Sequence, residues 1–421
     1  MLRFSRILRG IILLAFALRI PVIADINRDN NYSASDAFAP VHPKYWLPDN
    51  PTPNLGQLIA GLEEESVAHP DDAEIWHQLG LAYRENREFD KELDAMKKAT
   101  ALPGATSQMW SDLAHGYMVN NDMHSAADAF KKATEVAPDN VTAWNDYASL
   151  LMTTGEPDKC REVLNDALNL HPHSAQLLTN QALLERQTGE IEGSLNDFRK
   201  ALEADPTYGF AASDLGTTLF QLQRYSDAVD ALTQAVNLRP HDQLPWQALA
   251  QSYLKVGSAN DALPKLQKIL DAHPDSAAGW VAVGAMQDMA SIDPTASYQK
   301  ATQLDPKFGA AWDGLGLAYA RHNKLPEALD AFSQAVKVNP DGPQWWNDLG
   351  YCQLVEGMVD PAIASFQNSL RRSPKFTRPM VNLAQAYAMK GEKELMQETL
   401  TRLDQVDPDL GAKTRQRFQS N

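Results

Sequence analysis

The stretch AWNDYASLL occupies residues 143–151, and WWNDLGYCQL at 345–354 answers it, so that Trp144-Asn145-Asp146 returns as Trp346-Asn347-Asp348 after 202 residues. A return over that distance calls for a unit repeated between the two copies, and the prolines supply it. They stand 34 apart at 138, 172, 206, 240 and 274, and after one step of 32 the series continues at 306, 340, 374 and 408. Six steps of 34, less one two-residue deletion, give the 202.

Aligned on this period, the chain gives ten units, starting at Ala73, Ser107, Val141, Ala175, Gly209, Gln243, Ala277, Gly309, Pro343 and Thr377. Apolar residues recur at helical spacing within each. Trp76, Leu79, Gly80 and Tyr83 share one face of a first helix, Trp312, Leu315, Gly316 and Tyr319 repeat it, and Ala328, Phe332 and Ala335 mark a second helix. The eighth position is always small: Gly80, Ala114, Ala148, Ala182, Gly216, Ala250, Gly284, Gly316, Gly350 and Ala384. Gly or Ala lets two backbones approach, so this column predicts where the paired helices cross. Pro157, Pro326 and Pro361 fall where the second helix should begin, a place that tolerates a missing N–H. Asp139-Asn140 and Asp341-Gly342 read as turns. Each large apolar side chain buried this way stabilises by about 1.5–3 kcal/mol. One hairpin cannot cover its own face, however, and stacked neighbours do.

This pattern of Trp, Leu-Gly, Tyr, Ala, Phe and Pro over 34 residues resembles the tetratricopeptide repeat (TPR), across residues 53–408. The resemblance implies an all-α, right-handed α-solenoid of about ten TPR helix–turn–helix units at 73–408. Two departures predict looser packing. In the fourth unit Gln181 and Glu185 replace apolar residues, and in the seventh the turn is shortened around Ala290 to Pro294, a candidate bend. Residues 53–72 read as an N-terminal capping helix with Leu58 and Leu62 inward, and 409–421 as a polar C-terminal cap.

The first 24 residues differ from the rest: Arg3, Arg6 and Arg9, then the apolar run Ile11 to Leu18, then Val22-Ile23-Ala24. A basic start, a short apolar run and a small residue before the cut describe a secretory signal peptide over 1–24. The predicted destination is the periplasm of a bacterial envelope, with an uncleaved inner-membrane anchor as the alternative. Residues 25–52, rich in Asn, Asp and Pro around Tyr45-Trp46, read as an extended or disordered leader. No direct membrane span is expected in the mature chain.

Thirty-eight basic against 54 acidic residues give −16, which disfavours nucleic acid as a partner and favours basic or neutral peptide segments. Cys160 and Cys352 show no metal-binding spacing and read as free thiols, buried or half-buried. His171-Pro172-His173 is the nearest approach to a ligand pair and reads as an exposed turn. Asn31 and Asn140 head glycosylation triplets that matter only in a eukaryotic host. No phosphate loop, nucleophile elbow or metalloprotease helix is present in the sequence. The expectation is no enzyme, no cofactor and no metal.

In the family that the chain resembles, first helices line a groove for a partner peptide or helix, through positions two, five, six, nine and twelve. Carried over, those columns hold Asn145, Asn180, Asn347 and Asn382, Asp112, Asp146, Asp214 and Asp348, and the apolar Phe210, Phe220, Met118, Met152 and Leu254. Amides both donate to and accept from a peptide backbone; alternatively these residues cap or solvate their helices. The carboxylate clamp of chaperone adaptors is absent, because its columns hold His77 and Leu81, Ser111 and His115, then Asn145 and Ser149. The reading is a non-enzymatic protein–protein interaction scaffold or adaptor in envelope assembly. Self-association into a structural scaffold is the alternative, and less so an enzyme with a composite site in the groove.

Overall fold

A computed structural model describes residues 54–419, and these form 22 helices with no strand among them. The signal segment, the leader with Tyr45-Trp46 and Asn31 lie outside the described residues. The chain divides into two compact units, one ending at Thr218 and the other beginning at Leu219.

The N-terminal unit opens with a lone helix, α1 (Leu55–Ala68), followed by the hairpins α2 (Ala73–Glu85) with α3 (Phe89–Ala101), α4 (Ser107–Val119) with α5 (Met123–Val136), α6 (Val141–Thr153) with α7 (Pro157–Leu170), and α8 (Ala175–Thr188) with α9 (Ile191–Ala204). The division falls inside α10 (Gly209–Gln221). The C-terminal unit continues with α11 (Tyr225–Leu238), then α12 (Gln243–Val256) with α13 (Ala259–Ala272), α14 (Ala277–Met289) with α15 (Thr295–Leu304), α16 (Gly309–Arg321) with α17 (Leu325–Val338), α18 (Pro343–Val355) with α19 (Val359–Arg372), and α20 (Thr377–Lys390) with α21 (Lys393–Val406). It ends on α22 (Pro408–Gln419).

Each hairpin closes on one contact. The small eighth residue of the first helix faces the bulky twenty-fourth residue of its unit: a Cβ added at Gly80 would lie 2.8 Å from Met96, one at Gly316 2.7 Å from Phe332, and one at Gly350 2.8 Å from Phe366. Met96, Phe130, Phe198, Phe332 and Phe366 are completely buried as a result. The turn inside the hairpin is left-handed at Arg87, Asn121, Gly155, Gly189, Gln223, Ser291, Asn323, Gly357 and Gly391, the same position of nine units. Such a residue ends a helix by turning its backbone back on the last carbonyls.

The tryptophans of the opening motif have a local task. The indoles of Trp144 and Trp346 donate to the carbonyls of Pro138 and Pro340, six residues earlier, at 2.9 and 2.7 Å. Trp76, Trp246, Trp280 and Trp312 do the same. Each bond ties the turn that enters a unit to that unit's first helix.

The seventh unit absorbs its deletion without opening the core. The second helix α15 shortens to 10 residues, and Tyr298, 3% exposed, fills the space between two glycines. A Cβ at Gly284 would lie 3.1 Å from its ring, and one at Gly314 2.3 Å. In the fourth unit the polar Glu185 is buried over Gly193, where a Cβ would meet its carboxylate at 2.8 Å. On α1 the inward residues are Leu55, Ile59 and Leu62, whereas Leu58, expected inward, is 45% exposed. Residues 55, 59 and 62 keep one face on α2, and 58 lies at the edge of that stripe, about 60° round the helix from 55. At the other end, α22 seats Leu410 against the last core cluster and buries Thr414, and Arg415 pairs with Asp404 at 2.6 Å. Cys160 and Cys352 are free and buried, and burial pushes each thiol up to about 12. No described helix is long and apolar enough to cross a membrane.

If the closing contact is a volume match, Phe332→Ala should cost about 3–5 kcal/mol through the cavity it leaves, and Gly316→Leu about 1–3 kcal/mol by overpacking. The double variant should lose less than the sum, because the new leucine enters the cavity. Urea titration of the full chain measures all three; strict additivity would show that the two residues do not pack on each other.

Candidate partner-binding face

On the first helices of the N-terminal unit, polar side chains join neighbouring repeats in a fixed register. His77 on α2 donates from Nε2 to Asp112 Oδ2 on α4 at 2.9 Å. Asn180 on α8 donates to Asn145 Oδ1 on α6, also at 2.9 Å. Within the C-terminal unit, Asn382 on α20 donates to Asn347 Oδ1 on α18 at 2.9 Å. In all three the partners are 35 residues apart, from position five of one unit to position six of the next. The Asn-Asp pair of the opening motif therefore returns because the same clasp is built twice. The amide of Asn347 also reaches Asp348 Oδ1 at 2.8 Å, and that of Asn145 reaches Asp146 Oδ1 at 3.3 Å.

Position twelve adds arginine to this ladder. Arg84 spans Glu92 Oε1 at 2.6 Å, Asp112 Oδ1 at 3.0 Å and the Asp112 carbonyl at 3.1 Å. Gln108 completes the shell of Asp112 at 3.0 Å. One register-equivalent step occurs at Arg186, which donates to Thr218 at 3.0 Å and stands 3.9 Å from Asp214. Glu92 occupies a column that holds alanine in five of the ten units, and it lies against Gly116 on α4, where a Cβ would make an ordinary contact 3.5 Å from its Oε1. Burial raises the Glu92 carboxyl, and Arg84 opposes the rise.

Asp112 and Asp146 occupy the same position in successive units, with opposite electrostatics. Burial alone would raise Asp112, but the bond from His77 and the charge of Arg84 override it and hold the carboxyl at about 2. Asp146, its side chain 22% exposed, accepts from the Asn145 amide and stands 3.7 Å from His115 Nε2, with no arginine paired to it among the described ion pairs. Burial lifts it to about 6, with the negative charge of Asp112 adding to the rise. Burial lowers His115 to about 3, so its ring is uncharged at neutral pH.

Of the groove residues expected from the sequence, Asn145, Asp146, Asp214, Asn382, Met118 and Leu254 are half-buried, and Phe210 is 50% exposed. Asp112, Asn180, Asn347, Asp348, Met152 and Phe220 are buried within their own stacks. Several members of the ladder were not among those candidates: His77, Arg84, Glu92, His115 and Arg186, with Gln108 and Thr218 as their hydrogen-bond partners. His171 donates from Nε2 to the Pro138 carbonyl at 3.0 Å, which binds successive turns together.

Comparison with known proteins agrees with this architecture. The model of the cytochrome c-type biogenesis protein H TPR domain matches residues 103–207, and two tetratricopeptide repeat models match 73–105 and, in two overlapping stretches, 296–336 and 314–375. The chain is a tetratricopeptide repeat protein. It is 27% identical over 194 residues to the peroxisomal targeting signal receptor of Kluyveromyces lactis, an alignment covering 44% of this chain and 34% of that one. Over 204 residues it is 24% identical to the human protein O-mannosyl-transferase TMTC1, covering 47% and 21%. The chain thus spans about a third or less of the length of these curated relatives. Among solved structures, the crystal structure of the APC/C hetero-tetramer Cut9-Hcn1 aligns at a TM-score of 0.42 and 17% identity, over 75% of this chain and 76% of that one.

In this tetratricopeptide protein the two aspartates should respond oppositely to neutralisation. The depressed Asp112 contributes stability that is present above its ordinary value near 4 and lost as pH falls towards 2. The raised Asp146 carries a penalty that grows as pH rises from about 4 through 6. At pH 7, Asp112→Asn should cost about 3–5 kcal/mol by leaving the buried Arg84 and His77 short of their charged partner. Asp146→Asn should gain about 1–2 kcal/mol, a gain that vanishes at pH 4. Urea midpoints of both variants at pH 4 and 7 measure this; a loss for Asp146→Asn at pH 7 would contradict the assignment.

Proposed function

We propose that this protein is a non-enzymatic interaction scaffold that holds a basic or neutral segment of a protein partner along its first helices. The carrying observation is the ladder itself: the half-buried Asn145 and Asp146 are held by each other and by the buried Asn180 behind them, as the buried Asp112 is held by His77 and Arg84, so a partner meets polar groups already in position. Prior ordering of this kind lowers the entropy lost on binding. Half-exposed Phe210 supplies an apolar anchor in the same unit. Residues 54–218 carry 28 acidic against 12 basic side chains, which favours a basic segment over an acidic one.

The finer reading is export to the periplasm and a part in assembly at the cell envelope. It is supported by the basic and apolar start of the chain and by the match of residues 103–207 to a cytochrome c-type biogenesis domain. A photoreactive residue placed at Phe210 on α10, and another at the exposed Lys131 on α5, test the binding face in intact cells. One partner should recur in adducts from position 210 and be missing from 131. Adducts from 131 alone would refute the face, and adducts made only of second copies would favour the self-associating scaffold. Export predicts that the chain is cut by protease added to spheroplasts and that its mature form begins at Asp25; full protection would exclude the periplasm.

A further inference from the structure

The ladder sets a rule at each step between first helices of the N-terminal unit, and one step breaks it. Where position six is an aspartate, the preceding unit supplies an arginine from position twelve: Arg84 to Asp112 at 3.0 Å and Arg186 beside Asp214 at 3.9 Å. Where position six is Asn180, the preceding unit supplies the Asn145 amide acceptor. At Asp146 the preceding unit offers Ser111 at position five and Met118 at position twelve. Ser111 is buried, Met118 is half-buried, and neither carries a charge. The remaining charged and titratable groups around this step are Asp112 and His115 on α4, with Arg84 and His77 on α2 and Glu92 on α3 behind them. Arg84 is committed to Glu92 and Asp112, and burial keeps His115 uncharged.

We propose that Asp146 is a subsite for a cationic side chain of the partner, an arginine or lysine that takes the place which Arg84 and Arg186 fill at the Asp112 and Asp214 steps. This inference rests on the first-helix reading and specifies the chemistry of its partner. By the register of the Asp112 and Asp214 steps, the flexible Met118 borders the subsite, and a thioether there packs the aliphatic stem of the incoming residue. The charged head meets Asp146 Oδ2, which the neutral His115 ring leaves uncompensated. Because Asp146 titrates near 6, binding a cation displaces its proton, and affinity falls as pH drops below that value.

Ethylguanidinium, the tip of an arginine side chain, serves as the probe on the full chain with aspartate carboxyl carbons labelled, and Asp146→Asn identifies the resonance. Millimolar ethylguanidinium should lower the titration midpoint of Asp146 by half a unit or more, while Met118→Arg should lower it without the probe and abolish the response. A midpoint that ignores ethylguanidinium in the wild type while Met118→Arg shifts it would show a step closed to outside cations and overturn the proposal. A midpoint that moves in neither case would overturn it by removing the register itself. In cells, adducts from position 210 should fall at least fivefold in Met118→Arg and in Asp146→Asn. Adducts kept in both variants would overturn the subsite and leave the first-helix reading standing. Loss of adducts from the wild type as well would sink that reading, and the carboxyl titration would still decide the subsite.

Discussion

Everything else in each stack depends on the crossing of two helices at one small residue. Where Gly316 meets Phe332, the backbone of one helix lies against the ring of the other, and no Cβ fits between. That close approach fixes the angle and height of the hairpin, and with them the face that it offers to the next. The seventh unit shows that the constraint is on volume rather than on residue type. There the second helix loses residues, a tyrosine replaces the bulky partner, and a second glycine, Gly314, appears on the following first helix to receive it. A close-packed interior leaves few other ways to accommodate a deletion.

The polar ladder is a consequence of that geometry. Once hairpins repeat at constant height, position five of one unit and position six of the next come within hydrogen-bond reach, and the sequence has filled the pair with His–Asp or Asn–Asn. A half-buried polar group needs a partner, and here each supplies the other's. The tryptophan of the same motif works on the opposite side of the turn, where its indole closes on the proline carbonyl. Trp-Asn-Asp is thus two devices side by side, one within a unit and one between units.

The fold was legible in the sequence because its constraint falls in single columns: small at eight, large at twenty-four, proline at the end of each unit. The ladder was not, because its partners stand 35 residues apart and so belong to different columns of a 34-residue alignment. Read column by column, Asn145 and Asn180 look like separate surface amides. Glu92 was hidden for a related reason: it breaks a column of mostly small residues, and the arginine that pairs with it, Arg84, lies in another column. Leu58 was misplaced on α1 because a lone helix has no neighbouring repeat to fix its phase, and Leu55, Leu58 and Leu62 are all apolar.

Stability and recognition draw on the same position of the repeat, and what separates them is the charge one unit earlier. Asp112 with Arg84 and His77 is a satisfied buried group, and its ionised form belongs to the folded state. Asp146, with methionine in the arginine's place, keeps a carboxylate that the fold itself does not neutralise. Filling that step from within would remove the penalty at neutral pH and also the site. A repeat protein can therefore place a recognition point anywhere along its stack by withholding one cation, without altering the packing column that holds the helices together.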